Sequence, residues 1–270
     1  MTEQASASVD TSVGEAYEQH MVPGMFLRWT RIALEYAAPK PGESVLDVAC
    51  GTGIGARLAA TAVAPGGKVS GLDIDPAVIE AGRQVARGTP VSIDWRCASA
   101  LEMPFESGTF DLCLCLQGLQ FFPDRRRGFA EMRRVLEPSG RLVATIWGPL
   151  ESNKGHYAVV QALERQNVDA TPAKRACSFA DAEEIEQTAA SAGFQNIELD
   201  TQDGVSEFES IESFLEGMTR GSPSTRHAVG RLSNEGLNRF KEEVRDMLQP
   251  YCVGGVLAYP MRTHILSARA

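Results

Sequence analysis

The apolar positions change period several times along the chain, and each change marks an element. Between residues 14 and 38, Met21, Met25, Phe26, Trp29, Ile32, Ala33, Tyr36 and Ala37 recur at helical spacing, and Pro23 predicts two helices or a kink there. Residues 1–13 show no period and are expected to be disordered. A short apolar run predicts a first strand over 44–49. A helix over 54–64, a strand over 68–72 ending on Asp73, a helix over 76–87 and a strand over 91–97 follow. Pro65-Gly66-Gly67 and Gly88-Thr89-Pro90 punctuate them, and Asp75-Pro76 is an N-cap followed by proline at the first helical position. The near-continuous apolar run 110–116, FDLCLCL, fits a strand buried on both faces. Asp124 caps a helix with Phe129, Met132 and Leu136 on one face, a tight turn over 137–140 follows, and 141–147 reads as a fifth strand.

Short strands alternating with helices predict a doubly wound, mostly parallel α/β sheet. Beyond the fifth strand the pattern changes. A helix over 155–166 comes first, and then Asp181 and Glu184 form a capping box that opens a helix closing at Gly193. Residues 194–199 read as a strand, 201–250 as a mainly helical insert with Leu237, Phe240, Val244 and Met247 on one face, and 256–268 as a last strand, antiparallel to the rest. The expectation is a single domain over 14–270, about seven strands in all, with 14–38 as a helical lid.

The chemistry concentrates in SVLDVACGTGIG, residues 44–55, where the first strand runs into Gly51, Gly53 and Gly55. A strand–loop–helix unit of this kind lets backbone approach a ligand closely and presents free N–H groups. The spacing satisfies the dinucleotide fingerprint G-x-G-x-x-G/A, with Asp73 where a ribose-binding acid would stand, so an NAD-type oxidoreductase is one reading. Asp47 argues against it. A carboxylate inside a strand needs a cationic or hydrogen-bonding partner, and it would repel a pyrophosphate but attract an α-amino group. A helix-capping role is not expected at a strand centre. Asp47, Asp73 and Asp75 together suit a sulfonium ligand with an amino-acid tail.

Composition adds bounds. With 35 acidic and 26 basic residues the net charge is −9, which argues against nucleic acid or an anionic membrane as partner. The first ten residues lack a basic and an apolar region, so no secretion signal is expected, and no apolar run is long enough to span a bilayer. None of the six cysteines shows C-x-x-C spacing, so they read as reduced residues of a cytoplasmic protein, with no metal site.

Four stretches in order, VLDVACGTG, GLDIDPAVIEAGR, ASALEMPFESGTFDLCLCLQGLQFF and EMRRVLEPSGRLVATIW, resemble the class I S-adenosylmethionine-dependent methyltransferases. The group most like them is the small-molecule type that includes the ubiquinone/menaquinone biosynthesis C-methyltransferases, and the likeness covers roughly residues 40–150. The resemblance implies a Rossmann-like sheet, S-adenosylmethionine as cofactor and S-adenosylhomocysteine as product. It implies that Asp47 and the backbone at Ala49 and Gly51 hold the methionine amino group, with Gly51 and Gly53 passing under the cofactor. Asp73 would accept the ribose hydroxyls and Ile74 would pack on adenine. Ser99, followed by Ala100, stands where the family usually has an adenine-binding aspartate. Gln117 would lie beside the methionine portion, and Tyr17 would be the lid aromatic.

The acceptor is expected to be a small, partly apolar molecule. Gln120, Phe121 and Trp147 are candidates to contact it, and His156, after the fifth strand, is the candidate general base. His20, near the lid, is a lesser candidate. Exposed apolar helices at either end could pair two copies. Ser99 in place of the acid keeps open a protein that binds S-adenosylmethionine without transferring methyl.

Overall fold

The computed structural model describes residues 12–270. The expectation of disorder over 1–13 falls largely outside that range, and Ser12 and Val13 open the first helix, Ser12–Ala16. The sheet runs in the order β3 (Ile93–Cys97), β2 (Lys68–Asp73), β1 (Ser44–Val48), β4 (Phe110–Leu116), β5 (Leu136–Trp147), β8 (Val256–Arg269) and β6 (Gln195–Phe208), with the short β7 (Cys252–Val253) hairpinned onto β8. The pairs β2–β3, β1–β2, β1–β4 and β4–β5 are parallel, whereas β8 is antiparallel to both β5 and β6. The eight-stranded sheet is thus the doubly wound, Rossmann-like one expected, with one strand more than the pattern suggested. The strand order reverses between β1 and β4, and in open α/β sheets the crevice outside the carboxyl ends at that point binds ligands.

Three elements differ from the expectation. The run 12–37 is continuous: Tyr17–Phe26 is wound as a π-helix around Pro23, and the Leu27 N–H donates to the Val22 carbonyl, five residues back. The wider turn accommodates a residue that cannot donate, so no break is needed. The second departure is β6, which runs to Phe208, so the helical insert begins with Ile211–Glu216 rather than at 201. Its outer positions alternate polar residues and Gly204, a pattern without a clear apolar period. Pairing along β8, from Gln195↔Arg269 to Phe208↔Leu257, sets its length instead. The third is β5, which starts at Leu136. Leu136 pairs with Phe110 and Arg141 with Leu112, so Glu137–Gly140 bulge out as the expected turn inside a longer strand.

The N-terminal run and the C-terminal helices share one apolar core. Met21, Met25 and Trp29 pack with Trp147, Phe208, Phe214, Phe240 and Tyr259. The N-terminal helices and the insert therefore pack as one layer. Glu18 fastens the N-terminal helices to the glycine loop: its carboxylate accepts from Thr52 Oγ1 at 2.6 Å and from Arg57 at 2.5 Å. Among the described residues no helix is long and apolar enough to cross a membrane.

Candidate functional site

The loop after β1 is built by backbone that only small residues tolerate. Ala49, Gly51 and Gly53 have φ of +54°, +55° and +79° before the helix Ile54–Ala62 begins. A Cβ on Gly53 would lie 2.2 Å from the Trp95 ring, and one on Gly55 would lie 2.6 Å from an Asp47 oxygen. These two glycines make room for protein side chains rather than for ligand. Asp47, 1% exposed, accepts the Ala56 N–H at 2.7 Å, so it does cap this helix although it sits inside β1. The loop turns back sharply enough to bring the helix N-terminus over the strand. Burial pushes the Asp47 carboxyl up to about 7, against the pull of that N–H.

A cavity of about 790 Å³ opens at the carboxyl ends of β1, β2 and β4. Asp73, closing β2, lines it, and its carboxylate accepts the Gly51 N–H at 2.9 Å and the Asp75 N–H at 3.0 Å. Burial raises the Asp73 carboxyl, and the two N–H groups oppose the rise. Ile74 beside it is 72% exposed in the cavity mouth, an apolar side chain with an open face. Tyr17 closes the loop side, stacked on Phe26 with ring centroids 5.0 Å apart. A Cβ on Gly51 would sit only 3.9 Å from the Tyr17 ring. Burial, followed by the charge of Asp73, raises the Tyr17 hydroxyl, which stays protonated.

Gln117 leaves β4 at φ +61° and is fixed by two bonds, its N–H to the Thr145 carbonyl at 2.9 Å and its side-chain amide to Thr263 Oγ1 at 3.1 Å. Trp147, Phe121 and His156 form the next stretch of wall. The His156 ring lies 5.9 Å from that of Trp147, and its buried Nδ1 has no hydrogen-bond partner among the described residues. Burial lowers His156 to about 4, so the imidazole is neutral near pH 7 and a weak base.

Of the residues singled out in the sequence, Tyr17, Ala49, Gly51, Asp73, Ile74, Gln117, Phe121, Trp147 and His156 line this one cavity. Asp47, Gly53, Ser99, Ala100 and Gln120 lie outside the lining. Ser99 Oγ accepts the Leu101 N–H at 3.1 Å, and the Gln120 amide reaches Gln117 Oε1 at 3.4 Å, so both act within the protein. His20 Nδ1 is 3.0 Å from Ser213 Oγ and joins the N-terminal helices to the insert. Sequence reasoning missed Trp95, which packs against Gly53, Gly71 and Gly82, and it missed Glu18. It also missed Arg175, His227 and Arg231, which line the wall supplied by the later helices. Those contacts join positions far apart in the chain, and no local spacing in the sequence signals them. Among the described residues no group of three or more His, Cys, Asp or Glu side chains is placed to hold a metal.

Comparison with known proteins bears directly on this arrangement. A family model described as a methyltransferase domain matches residues 46–144, the span from β1 into β5. Over 131 residues the chain is 35% identical to a demethylmenaquinone methyltransferase of Symbiobacterium thermophilum, covering 48% of this chain and 52% of that one. Over 170 residues it is 33% identical to a ubiquinone/menaquinone biosynthesis C-methyltransferase of Cupriavidus taiwanensis, covering 58% of this chain and 68% of that one. The chain belongs to the class I S-adenosylmethionine-dependent methyltransferases.

The matched stretch spans from about half to two thirds of these methyltransferases' own length. Among solved structures, a phosphoethanolamine N-methyltransferase of Haemonchus contortus, in complex with S-adenosylhomocysteine, aligns with a TM-score of 0.61 at 20% identity, covering 96% of this chain and 57% of that one. The cyclase SpnF aligns with a TM-score of 0.56 at 21% identity, covering 90% and 80%. Both likenesses establish the fold alone, and that fold hosts more than one chemistry.

The methyltransferase cofactor fits the residues present. An acid with spare lone pairs, an uncovered apolar side chain and a glycine of left-handed φ beneath the Tyr17 ring stand together in one cavity. A dinucleotide fits poorly, because the helix N-terminus that would receive its pyrophosphate already carries the Asp47 carboxylate, with Glu18 on Thr52 beside it.

Proposed function

We propose that this methyltransferase moves a methyl group from S-adenosylmethionine to a small, partly apolar acceptor. The observation that carries the reading is the pairing of Asp73 with Ile74. A carboxylate held by two backbone N–H groups stands beside an exposed apolar side chain at the carboxyl end of β2, one strand from the switch point of the sheet. S-adenosylmethionine supplies a methyl on a cationic sulfur, which departs as a neutral thioether. The chain's own work is alignment and exclusion of water.

In this reading Asp73 accepts the ribose hydroxyls, and Ile74 with Val78 covers the adenine. Ala49 and Gly51 bring backbone to the methionine portion, and Tyr17 on Phe26 shuts out solvent. Asp47 acts from beneath the loop. Its charge is felt by Tyr17, and its carboxyl feels the charge of Asp73, so a cation in the cavity is stabilised by it without direct contact. Gln117, locked by Thr263, orients the sulfonium side, while Trp147 and Phe121 bound the acceptor. His156, neutral and with a free buried Nδ1, orients an acceptor hydroxyl rather than removing its proton. A reducing cytoplasm suits the six cysteines, all of which are free.

The test is transfer itself. Protein is incubated with methyl-labelled S-adenosylmethionine and a panel of phenols and quinols, and both products are measured. Label in an acceptor with an equal amount of S-adenosylhomocysteine supports the reading. Tight binding of the cofactor with no label moved to any acceptor favours the non-methylating alternative.

A further inference from the structure

The wall of the cavity built by the later helices is basic, and the roles assigned so far do not use it. Arg175 begins the turn after Thr171–Lys174, and Arg231 lies just past the helix Pro223–Val229; both line the cavity. His227 stands one helical turn before Arg231, its Nε2 3.2 Å from an Arg231 terminal nitrogen. Arg226 joins His227 and Arg231 in an adjoining hollow. The chain as a whole carries −9, so guanidinium groups gathered on one cavity wall run against its average.

Internal pairing accounts for only part of this. Arg231 faces Asp169, a carboxylate on the same wall, at 3.6 Å, with both side chains about half exposed, and such an exposed pair contributes little. Asp169 is also held by the Thr171 N–H at 3.0 Å. The Arg175 guanidinium, exposed at the rim of the cavity, has no hydrogen-bond or ion-pair partner among the described residues. Thr171, Ser222 and Ser224 add neutral hydroxyls to the same wall. The sheet edge, by contrast, presents Asp73 and Asp75. The cavity therefore has an acidic wall that suits a cationic cofactor and a basic wall that does not.

We propose that the basic wall is a head-group subsite, and that the acceptor carries an oxyanion of the carboxylate or phosphate kind on an apolar body, paired with Arg175 and Arg231. A guanidinium offers parallel N–H donors that match such an oxyanion in a two-point grip. With the head group held there, the apolar body lies against Met21, Phe121 and Trp147, and its reacting atom is aimed toward the sheet edge. The inference rests on the methyl-transfer reading for calling this ligand the acceptor; anion binding at the wall is a separate property.

The experiment uses two fluorescent probes with one ring system, 8-anilinonaphthalene-1-sulfonate and the uncharged N-phenyl-1-naphthylamine. Each is titrated into full-length protein saturated with S-adenosylhomocysteine, so that the adenine site is blocked. The sulfonate is expected to bind about tenfold more tightly than its neutral counterpart. Arg175→Ala and Arg231→Ala should each weaken the sulfonate about fivefold to tenfold and leave the neutral probe within about twofold. Arg175→Lys, which keeps the charge without the two-point grip, should fall between. Equal affinity for the two probes, no saturable sulfonate binding, or alanine variants that bind the sulfonate as well as wild type would overturn the proposal. Calorimetry with S-adenosylhomocysteine on the same samples separates the two ideas. Arginine-dependent sulfonate binding without nucleoside binding defeats the methyl-transfer reading alone, and the reverse defeats only the anion subsite.

Discussion

Replacing Asp47 with asparagine should make the ligand-free protein more stable, and only at pH values where the acid would be charged. Burial raises the folded carboxyl to about 7, whereas the unfolded chain's aspartate titrates near about 3.9. Between those values the folded protein holds a proton that the unfolded chain has released. Stability therefore falls as pH rises through the window and levels off above it. About three pKa units at roughly 1.4 kcal/mol each set an upper bound of about 4 kcal/mol on the cost at pH 8. The introduced amide would keep an oxygen for the Ala56 N–H, so the cap survives. Thermal and urea unfolding at pH 8 and pH 4.5 are the assays. Asp47→Asn is expected to melt several degrees higher at pH 8, at about 2–4 °C per kcal/mol for a chain of this size, and to differ little at pH 4.5. The same linkage gives the cost a purpose. A cation in the cavity favours the ionised form, so affinity for the sulfonium S-adenosylmethionine should rise with pH through about 7 in the wild type and be weaker and flat in Asp47→Asn. A variant less stable at pH 8, or a stability difference independent of pH, would refute the reasoning.

Three other outcomes follow from the same geometry. Glu18→Ala removes the bonds from the N-terminal helices to Thr52 and Arg57, and should weaken S-adenosylhomocysteine at least about fivefold by calorimetry while moving the melting temperature only slightly. Gly53→Ala combines a left-handed φ of +79° with a Cβ 2.2 Å from the Trp95 ring, and should cost about 1–3 kcal/mol or more in urea unfolding. His156 is held near 4 in the folded state, whereas the unfolded chain's histidine titrates near about 6.5. It therefore contributes a loss of stability as pH falls from 6.5 toward 4, and His156→Phe should flatten that slope in pH-dependent melts.

Local signals carried the reading where ligand and fold place the same demand on neighbouring residues. The apolar run that ends in Gly51 and Gly53, with Asp73 at the end of the next strand, marks both the parallel sheet and its ligand edge. Pro76 after Asp75 likewise sets a helix start that the structure keeps, with the Asp75 carboxylate accepting the Ala77 N–H. Signals failed where partners lie far apart in sequence. The motif spacing could not show that Gly53 and Gly55 admit Trp95 and Asp47, because that depends on how the loop folds back over β1 and against β3. The length of β6 was hidden because its outer face is polar and β8, some sixty residues later, sets its register. Arg175 lies in a short helical turn and Arg231 in the turn after a later helix, with no spacing in common, so only the folded chain brings them to one wall.

The central claim is that the acid closing β2 and its exposed isoleucine hold the nucleoside of a sulfonium cofactor. Isothermal titration of wild type and Asp73→Ala with S-adenosylmethionine, S-adenosylhomocysteine and NADH tests it most directly. The account predicts one site per chain for the first two ligands, at least about tenfold weaker in Asp73→Ala, and no heat with NADH. Saturable binding of NADH, or a wild-type protein that binds neither sulfur nucleoside, would contradict it.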